Sequence, residues 1–143
     1  MSDSAAGEYT LSILVMPAQE NSLGVMHGGH MMSWMDMAAW VVATRAVEPE
    51  QTVLFKAIEH CVWSAPLHAG EICTIRARLS GVGRSSLRIE LEATGEDPVR
   101  NVTWIACDAV FTMVATGPDG RPEPARLLRS DEGAVSEPDR PAA

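Results

Sequence analysis

The sequence predicts an α+β fold in which one long helix packs against a curved antiparallel sheet of about five strands. The first observation is a segment from Gly28 to about Ala46 whose apolar residues recur at steps of three and four, as on one face of a helix. The second is a set of strand-like segments on either side of it, joined by short turns. One helix covers only one face of such a sheet, so we expect a partner subunit to cover the apolar surface that remains.

The domain is predicted to begin with a strand and a loop. Residues 1–7 are small and polar, and we expect them to be flexible. The segment "YTLSILV" (9–15) is rich in strand-forming residues and ends before Pro17. The following "PAQENSLGVMHGG" (17–29) contains the Pro, Asn and Gly of a loop.

The helix that follows is predicted to span the domain. At about 1.5 Å per residue, the segment 28–46 extends roughly 28 Å. Trp34 and Trp40 widen its apolar face, so much of the helix must be covered. The face itself consists of six residues: Met31, Met35, Ala38, Ala39, Val42 and Ala46.

Four strands are predicted after the helix. The segment "SSLRIELEAT" (85–94) alternates apolar and charged residues, and "VTWIACDAVFTMVAT" (102–116) is apolar on both faces, as in a strand covered on both sides. The joins "GVG" (81–83) and "TGEDP" (94–98) predict hairpin turns. The other two strands are "TVLFKAIEHCVW" (52–63) and "EICTIRARLS" (71–80).

The composition changes after residue 116. The segment 117–143 contains five of the nine prolines and few clustered apolar residues. We therefore expect one domain over residues 8–116, and a tail over 117–143 that is largely disordered beyond about residue 125.

Charge and cysteine content exclude several classes of function. The net charge of −8 and the presence of a single lysine argue against nucleic-acid binding. No apolar run approaches the roughly 20 residues of a membrane span, and the first twenty residues lack the pattern of a secretory signal. The three cysteines have no CxxC spacing and predict buried free thiols. We expect a cytoplasmic protein.

Asp36 is the most informative single residue. Between His30 and Thr44 it is the only side chain that carries a charge at neutral pH. A lone aspartate on an apolar helix is more often a solvated or capping residue, but the sequence upstream favours a functional role. The "HGG" turn would leave free N–H groups and the positive end of the helix dipole at Gly28 and Gly29, which together form an oxyanion-binding site.

Gly28 and Asp36 are too far apart to act on one atom within a single chain. Eight residues along a helix span about 12 Å. If two helices lay antiparallel across a two-fold axis, however, Asp36 of one chain would approach the Gly28 turn of the other. Catalysis by these groups therefore requires a dimer.

These residues carry a resemblance to a known family. The string "MP…N…G…GG…M.WMD.AA" resembles the cytosolic acyl-CoA thioesterases of the hotdog-fold superfamily, and it comprises Met16, Pro17, Asn21, Gly24, Gly28, Gly29, Met32, Trp34, Met35, Asp36, Ala38 and Ala39. Downstream, "W..P...GE" (63–71) is similar to the family's "F..P...GD", with Trp in place of Phe, and "GRSS" (83–86) matches its "GR(S/T)S". The "HGG" form is more typical of the phenylacetate-pathway and 4-hydroxybenzoyl-CoA thioesterases, so the acyl group stays open.

The resemblance implies a hotdog fold, hydrolysis of acyl-CoA thioesters, and a dimer or a tetramer or hexamer built from dimers. Asp36 would be the general base or the nucleophile, and the Gly28 N–H of the facing subunit would hold the carbonyl oxygen. Asn21 would orient the water or the thioester, while His27 supports the turn or donates a hydrogen bond. Gly29 would lie beside the ligand. Further substrate contacts would come from Trp34, Met35 and Trp40 at the acyl group and from Arg84, Ser85 and Ser86 at the phosphates or pantetheine arm of CoA.

This chemistry needs neither a metal nor an organic cofactor. A thioester carbonyl is already electrophilic, and a thiol with a pKa near 8.5 leaves without an obligatory acid. Two other functions are weighed against hydrolysis. A hotdog hydroxyacyl dehydratase would need the "HFP" loop that this sequence lacks, and a non-catalytic CoA-ester-binding module would have lost Asp36, Asn21 or the glycine turn.

The remaining polar residues favour structural roles. His27, His30, His60 and His68 do not have zinc-ligand spacing. Asp108, in the last strand, is predicted to point outward or to pair at an interface. Glu59 is predicted to be structural, although hydrogen bonding near the active site is its alternative role.

Overall fold

A computed structural model of the chain describes residues 7–128. Strand β1 (Glu8–Leu14) leads through a 3-10 turn (Pro17–Gln19) to helix α1 (Gly28–Ala46). Four strands follow, β2 (Thr52–Trp63), β3 (Ile72–Val82), β4 (Ser86–Asp97) and β5 (Val102–Thr116). The sequence predicted the helix and all five strands, with bounds that differ by three residues or fewer, whereas the 3-10 turn falls in a segment predicted only as a loop.

The five strands form one sheet in the order β1-β3-β4-β5-β2, and every neighbouring pair is antiparallel. Helix α1 packs against all five strands. This is a helix wrapped by an antiparallel sheet, so the predicted hotdog fold is confirmed. The order leaves β1 and β2 at the two edges.

The core lies between α1 and the face of the sheet that the alternation of β4 predicted. Leu87, Ile89 and Ala93 are fully buried, and Leu91 is nearly so. Phe111 and Met113 of β5 face the same side, opposite Ile89 and Leu87 in register. All three cysteines are free thiols, as predicted, and Cys73 and Cys107 are buried, whereas Cys61 is only partly buried.

The second hairpin turn was predicted too early. Strand β4 continues through Gly95 to Asp97, and the chain reverses over residues 98–101 instead of 94–98. The Asp97 carboxylate accepts hydrogen bonds from the N–H groups of Val99 and Arg100 at 3.0 and 3.1 Å, and Asn101 adopts a positive φ of 57°. Gly95 pairs with Trp104 of β5 within the strand, and a Cβ at residue 95 would lie 2.4 Å from the Trp104 indole.

The predicted domain boundary at residue 116 coincides with the end of β5, but the next twelve residues return along the domain. Leu127 forms an isolated β-bridge with Val47, and Pro122 forms one with Thr116. The disorder predicted beyond residue 125 falls mainly on residues 129–143, and the flexibility predicted for the N-terminus falls mainly on residues 1–6; both segments lie outside the described residues. No helix in the part of the chain that the structure describes is long and apolar enough to cross a membrane.

Candidate active site

Helix α1 starts with two unpaired backbone donors. His27 is its N-cap residue in an extended conformation, and the His27 carbonyl accepts the His30 N–H at 3.1 Å. The N–H groups of Gly28 and Gly29 have no acceptor among residues 7–128, and both glycines are exposed. Free N–H groups at the positive end of a helix dipole bind anions and oxyanions. The imidazole of His27 makes no capping hydrogen bond.

An apolar groove adjoins this helix start. It has a volume of about 370 Å³ and is lined by Val25, Met26, Gly28, Trp63, Ser64, Ala65 and Pro66. The Trp63 indole lies against Gly28: a Cβ placed on Gly28 would be 3.6 Å from the nearest ring carbon. Sequence reasoning named Trp63 only as a motif residue and missed it as a wall of the groove. The available signal was an aromatic residue ending a strand just before Pro66.

Asn21 shapes the loop that leads to the helix. Its side-chain oxygen accepts the N–H groups of Leu23 and Val25 at 2.9 and 3.3 Å. The Asn21 N–H also donates to the Val25 carbonyl at 2.8 Å, and Gly24 completes the turn with a φ of 76°. The Asn21 oxygen is therefore occupied by its own loop, and only its amide NH₂ is free to contact a ligand.

Asp36 is exposed on α1 and has no hydrogen-bond or ion-pair partner in the described part of the chain. Met37 and Trp40 lie beside it on the helix and are 49% and 50% exposed. Trp34 and Met35, by contrast, are buried in the core. The structure thus brings Trp40 together with Asp36 on one surface, and it places Trp34 and Met35 behind that surface.

The "GRSS" turn lies at the opposite end of the helix from Gly28. The Arg84 carbonyl accepts the Ala125 N–H at 2.8 Å, and the Leu128 N–H a few residues later donates to the Ala46 carbonyl at the end of α1. The Gly83 N–H donates to the Ser86 carbonyl at 2.8 Å, and a Cβ at residue 83 would overlap the Ser86 hydroxyl. Arg84 is exposed and has no carboxylate partner among residues 7–128.

The predicted site residues therefore lie at three positions along helix α1. Gly28 is at its start, Asp36 is about 12 Å further along, and the Arg84 turn lies near its other end. Edge strand β2 exposes apolar side chains on both faces of the sheet, and in register Phe55, Ile58 and Trp63 lie on the face that α1 covers whereas Leu54 and Val62 lie on the outer face. An unpaired edge with exposed apolar residues is a surface for self-association. Met37 and Trp40 extend it onto the helix.

Glu59 and Asp108 lie on the outer face of the sheet. The Glu59 carboxylate accepts hydrogen bonds from the Thr112 hydroxyl at 2.7 Å and from Arg88 at 3.2 Å, which lower the pKa of Glu59. Asp108 pairs with His60 at 2.7 Å. Both residues thus have partners within the sheet, which is consistent with the structural roles that the sequence favoured. Within residues 7–128, no three His, Cys, Asp or Glu side chains come together as metal ligands.

Comparison with known proteins shows the relationships of the chain. Residues 23–101 match the family model described as the thioesterase superfamily. An uncharacterized acyl-CoA thioester hydrolase of Zymomonas mobilis is 36% identical over 117 residues, which cover 82% of this chain and 77% of that protein. The acyl-CoA thioester hydrolase YciA of Salmonella typhimurium is 30% identical over 128 residues, which cover 87% of this chain and 94% of that protein.

A solved structure is similar to this chain in both fold and sequence. The crystal structure of a hexameric thioesterase from Yersinia pestis is 30% identical, with a TM-score of 0.73. The match covers 80% of this chain and 92% of that chain.

Proposed function

The chain belongs to the thioesterase superfamily, and we propose that it hydrolyses the thioester bond of acyl-CoA to give a free acid and CoA. The observation that supports this most directly is the start of α1, where two unpaired N–H groups adjoin an apolar groove. That combination suits an uncharged acyl ester whose carbonyl oxygen becomes negative during attack. The names of the relatives point to the same substrate class.

Each active site is built from two chains. One chain contributes Asp36, and its partner contributes the Gly28 turn and the adjoining groove. Antiparallel helices would also bring the Arg84 turn of one chain to the end where the partner's helix begins. The exposed apolar residues of β2 and α1 supply the contact surface. The hexameric relative from Yersinia pestis favours a hexamer built from such dimers.

In the proposed reaction the Gly28 N–H polarises the thioester carbonyl. Asp36 removes a proton from water while the water oxygen bonds to the carbonyl carbon, or Asp36 attacks that carbon itself and water then hydrolyses the anhydride. The C–S bond breaks in either route, and the CoA sulfur leaves with the bonding electrons and takes up a proton. The base and the oxyanion donor each contribute about 10²- to 10³-fold. Neither step requires a metal or a cofactor.

Other residues have supporting roles in this proposal. Asn21 holds the loop before the helix and directs its free amide NH₂ toward the water or the ester. His27 supports the turn. Trp40 borders the acyl group near Asp36, whereas the buried Trp34 and Met35 back this surface from the core. Arg84, Ser85 and Ser86 contact the phosphates or pantetheine arm of CoA, and Gly29 allows the ligand to approach the backbone.

The first experiment measures free-thiol release from a panel of acyl-CoAs by the wild type and by Asp36→Asn. We expect kcat to fall at least about 10²-fold in a variant that keeps its assembly by size-exclusion chromatography. Asp119→Asn, a matched exposed aspartate in the turn after β5, should leave kcat unchanged. Unaltered turnover in Asp36→Asn would refute the catalytic role. CoA binding without turnover of any ester would favour the non-catalytic module.

A second experiment tests whether the site spans two chains. Asp36→Asn chains are mixed with Gly28→Val chains, each inactive alone. A mixed dimer then contains one site with Asp36 from the second chain and Gly28 from the first, so activity should reappear. If both groups acted within one chain, every site would carry a defect and the mixture would stay inactive.

A further inference from the structure

The segment after β5 does not leave the domain but crosses back over it. The chain turns at Gly117–Gly120, where the Gly120 N–H donates to the Gly117 carbonyl at 2.9 Å. It then runs beside the end of β5, where the Glu123 N–H donates to the Ala115 carbonyl at 3.1 Å. We call residues 122–128 the C-terminal strap. The strap connects the end of α1 with the β3–β4 turn.

A single buried side chain holds the strap in place. Gln51 is only 4% exposed, and all three of its side-chain hydrogen bonds go to the strap. Its amide nitrogen donates to the Glu123 carboxylate and to the Pro124 carbonyl, both at 2.9 Å, and its oxygen accepts the Arg126 N–H at 2.7 Å. A buried amide left without partners costs about 1–3 kcal/mol, so the folded domain favours the docked strap.

The end of α1 adds a second attachment. The Glu48 N–H donates to the Arg126 carbonyl at 2.9 Å, and the Arg126 guanidinium contacts the Glu48 carboxylate at 2.7 Å and the Glu123 carboxylate at 3.0 Å. These ion pairs are exposed and contribute little energy by themselves. The backbone bonds and the buried Gln51 therefore determine where the strap lies.

The strap also holds the turn that carries Arg84. The Ala125 N–H donates to the Arg84 carbonyl at 2.8 Å, whereas the next carbonyl, that of Ser85, is bonded to the Ala115 N–H of β5 at 2.8 Å. Arg84 thus has its backbone fixed by the strap while its guanidinium extends into solvent. Without the strap, nothing else in the described chain bonds to this carbonyl.

We propose that the C-terminal strap, docked through Gln51, positions Arg84 for the phosphate groups of the CoA ester and thereby sets the affinity for the substrate. This inference rests on the proposed function, in which Arg84 contacts CoA. An arginine whose backbone is held in place binds phosphate more tightly than one on a mobile turn, because less conformational entropy is lost on binding. Gln51 is a positioning residue, since it acts through the strap and Arg84 and touches neither the ester nor the reacting water.

The test measures the Kd for CoA by titration calorimetry, together with kcat for acyl-CoA, in Gln51→Ala, Arg84→Ala and the double variant. We expect Gln51→Ala to raise Kd about five- to tenfold and to leave kcat within about twofold, because Asp36 and Gly28 lie elsewhere. In the Arg84→Ala background the same change should add almost nothing. A purely structural role would weaken binding equally in both backgrounds, and that result would overturn the proposal.

A second variant keeps the test decisive if Gln51→Ala does not fold. Ala125→Pro removes the N–H that bonds to Arg84 and places a ring carbon against the Arg84 carbonyl, so it should also raise the Kd for CoA. Arg100→Ala removes another exposed arginine, at the β4–β5 turn, and is the matched control for Arg84→Ala; it should leave the Kd for CoA unchanged. An unchanged Kd in Ala125→Pro would overturn the proposal.

The two proposals fail in different ways. If the wild type does not hydrolyse any ester but Gln51→Ala still raises the Kd for CoA in a way that depends on Arg84, the proposal of hydrolysis is refuted and the proposal for the strap stands. If turnover is normal but the Kd for CoA changes in neither Gln51→Ala nor Arg84→Ala, the proposal for the strap is refuted and that of hydrolysis stands.

Discussion

Trp40 provides the sharpest test of the two-chain site. Its side chain is 50% exposed on α1, one turn after Asp36. A tryptophan side chain has about 200 Å² of surface, so roughly 100 Å² is open on each chain. If a partner covers this area, truncation to alanine removes about 2.5 kcal/mol per chain at ~25 cal/mol per Å². Two copies meet in a dimer, so the loss is about 5 kcal/mol, or 10³- to 10⁴-fold in the dimer Kd.

The assay is sedimentation velocity or mass photometry of Trp40→Ala over a dilution series, with thiol release measured on the same samples. We expect the variant to dissociate at concentrations where the wild type stays assembled, and activity to fall at least as far as the assembled fraction, because Trp40 also borders the acyl group. Val99→Ala, a truncation of a 92% exposed residue at the β4–β5 turn, is the control and should assemble normally. Unchanged dissociation in Trp40→Ala, or a monomeric and active wild type, would refute this assignment of the interface.

Three further predictions follow from single contacts. Gly28→Ala should keep the wild-type Tm, because its new Cβ would make an ordinary 3.6 Å contact with Trp63. The methyl group would nevertheless intrude on the groove, so kcat/KM should fall about tenfold or more. A wild-type kcat/KM would contradict the binding of a ligand at this turn. Gly95→Ala should cost about 1–3 kcal/mol in urea unfolding, because its Cβ would lie 2.4 Å from the Trp104 indole, and a wild-type midpoint would contradict that packing. Burial raises the pKa of Cys73 from 9.0 to about 11, so the folded chain keeps a proton that the unfolded chain loses as pH rises from 9 to 11. The contribution of Cys73 to stability should therefore fall by up to about 2–3 kcal/mol over that range, and urea titrations of Cys73→Ala at pH 8 and 10.5 should show a smaller loss of stability than the wild type.

The predictions from sequence succeeded where a local pattern had one physical solution. The alternation in β4 could bury only one face, and Leu87, Ile89, Leu91 and Ala93 form that face. The glycine turn after His27 predicted a helix start at Gly28, and α1 begins at that residue. The second hairpin turn was misplaced because Gly95 was taken as a turn residue, when its role is to admit the ring of Trp104 from the neighbouring strand.

Contacts between distant parts of the chain were beyond such patterns. The groove wall at Gly28 depends on Trp63, which is 35 residues away along the chain and reaches the helix start only when β2 packs beside α1. The strap was missed because proline-rich composition predicts disorder, and no local rule reveals that a buried Gln51 accepts and donates its hydrogen bonds there.

The sequence by itself determined the element order, the start of the helix, the buried face of the sheet and the one carboxylate on the apolar helix, because each depends on residues within a few turns or alternations of one another. Only the tertiary structure decided that Trp34 lies in the core while Asp36 and Trp40 remain exposed, and that Arg84 lies at the opposite end of the helix from Gly28. Burial and separation depend on which surfaces of the sheet and helix meet. That outcome is set by the packing of all the elements together and by no single segment.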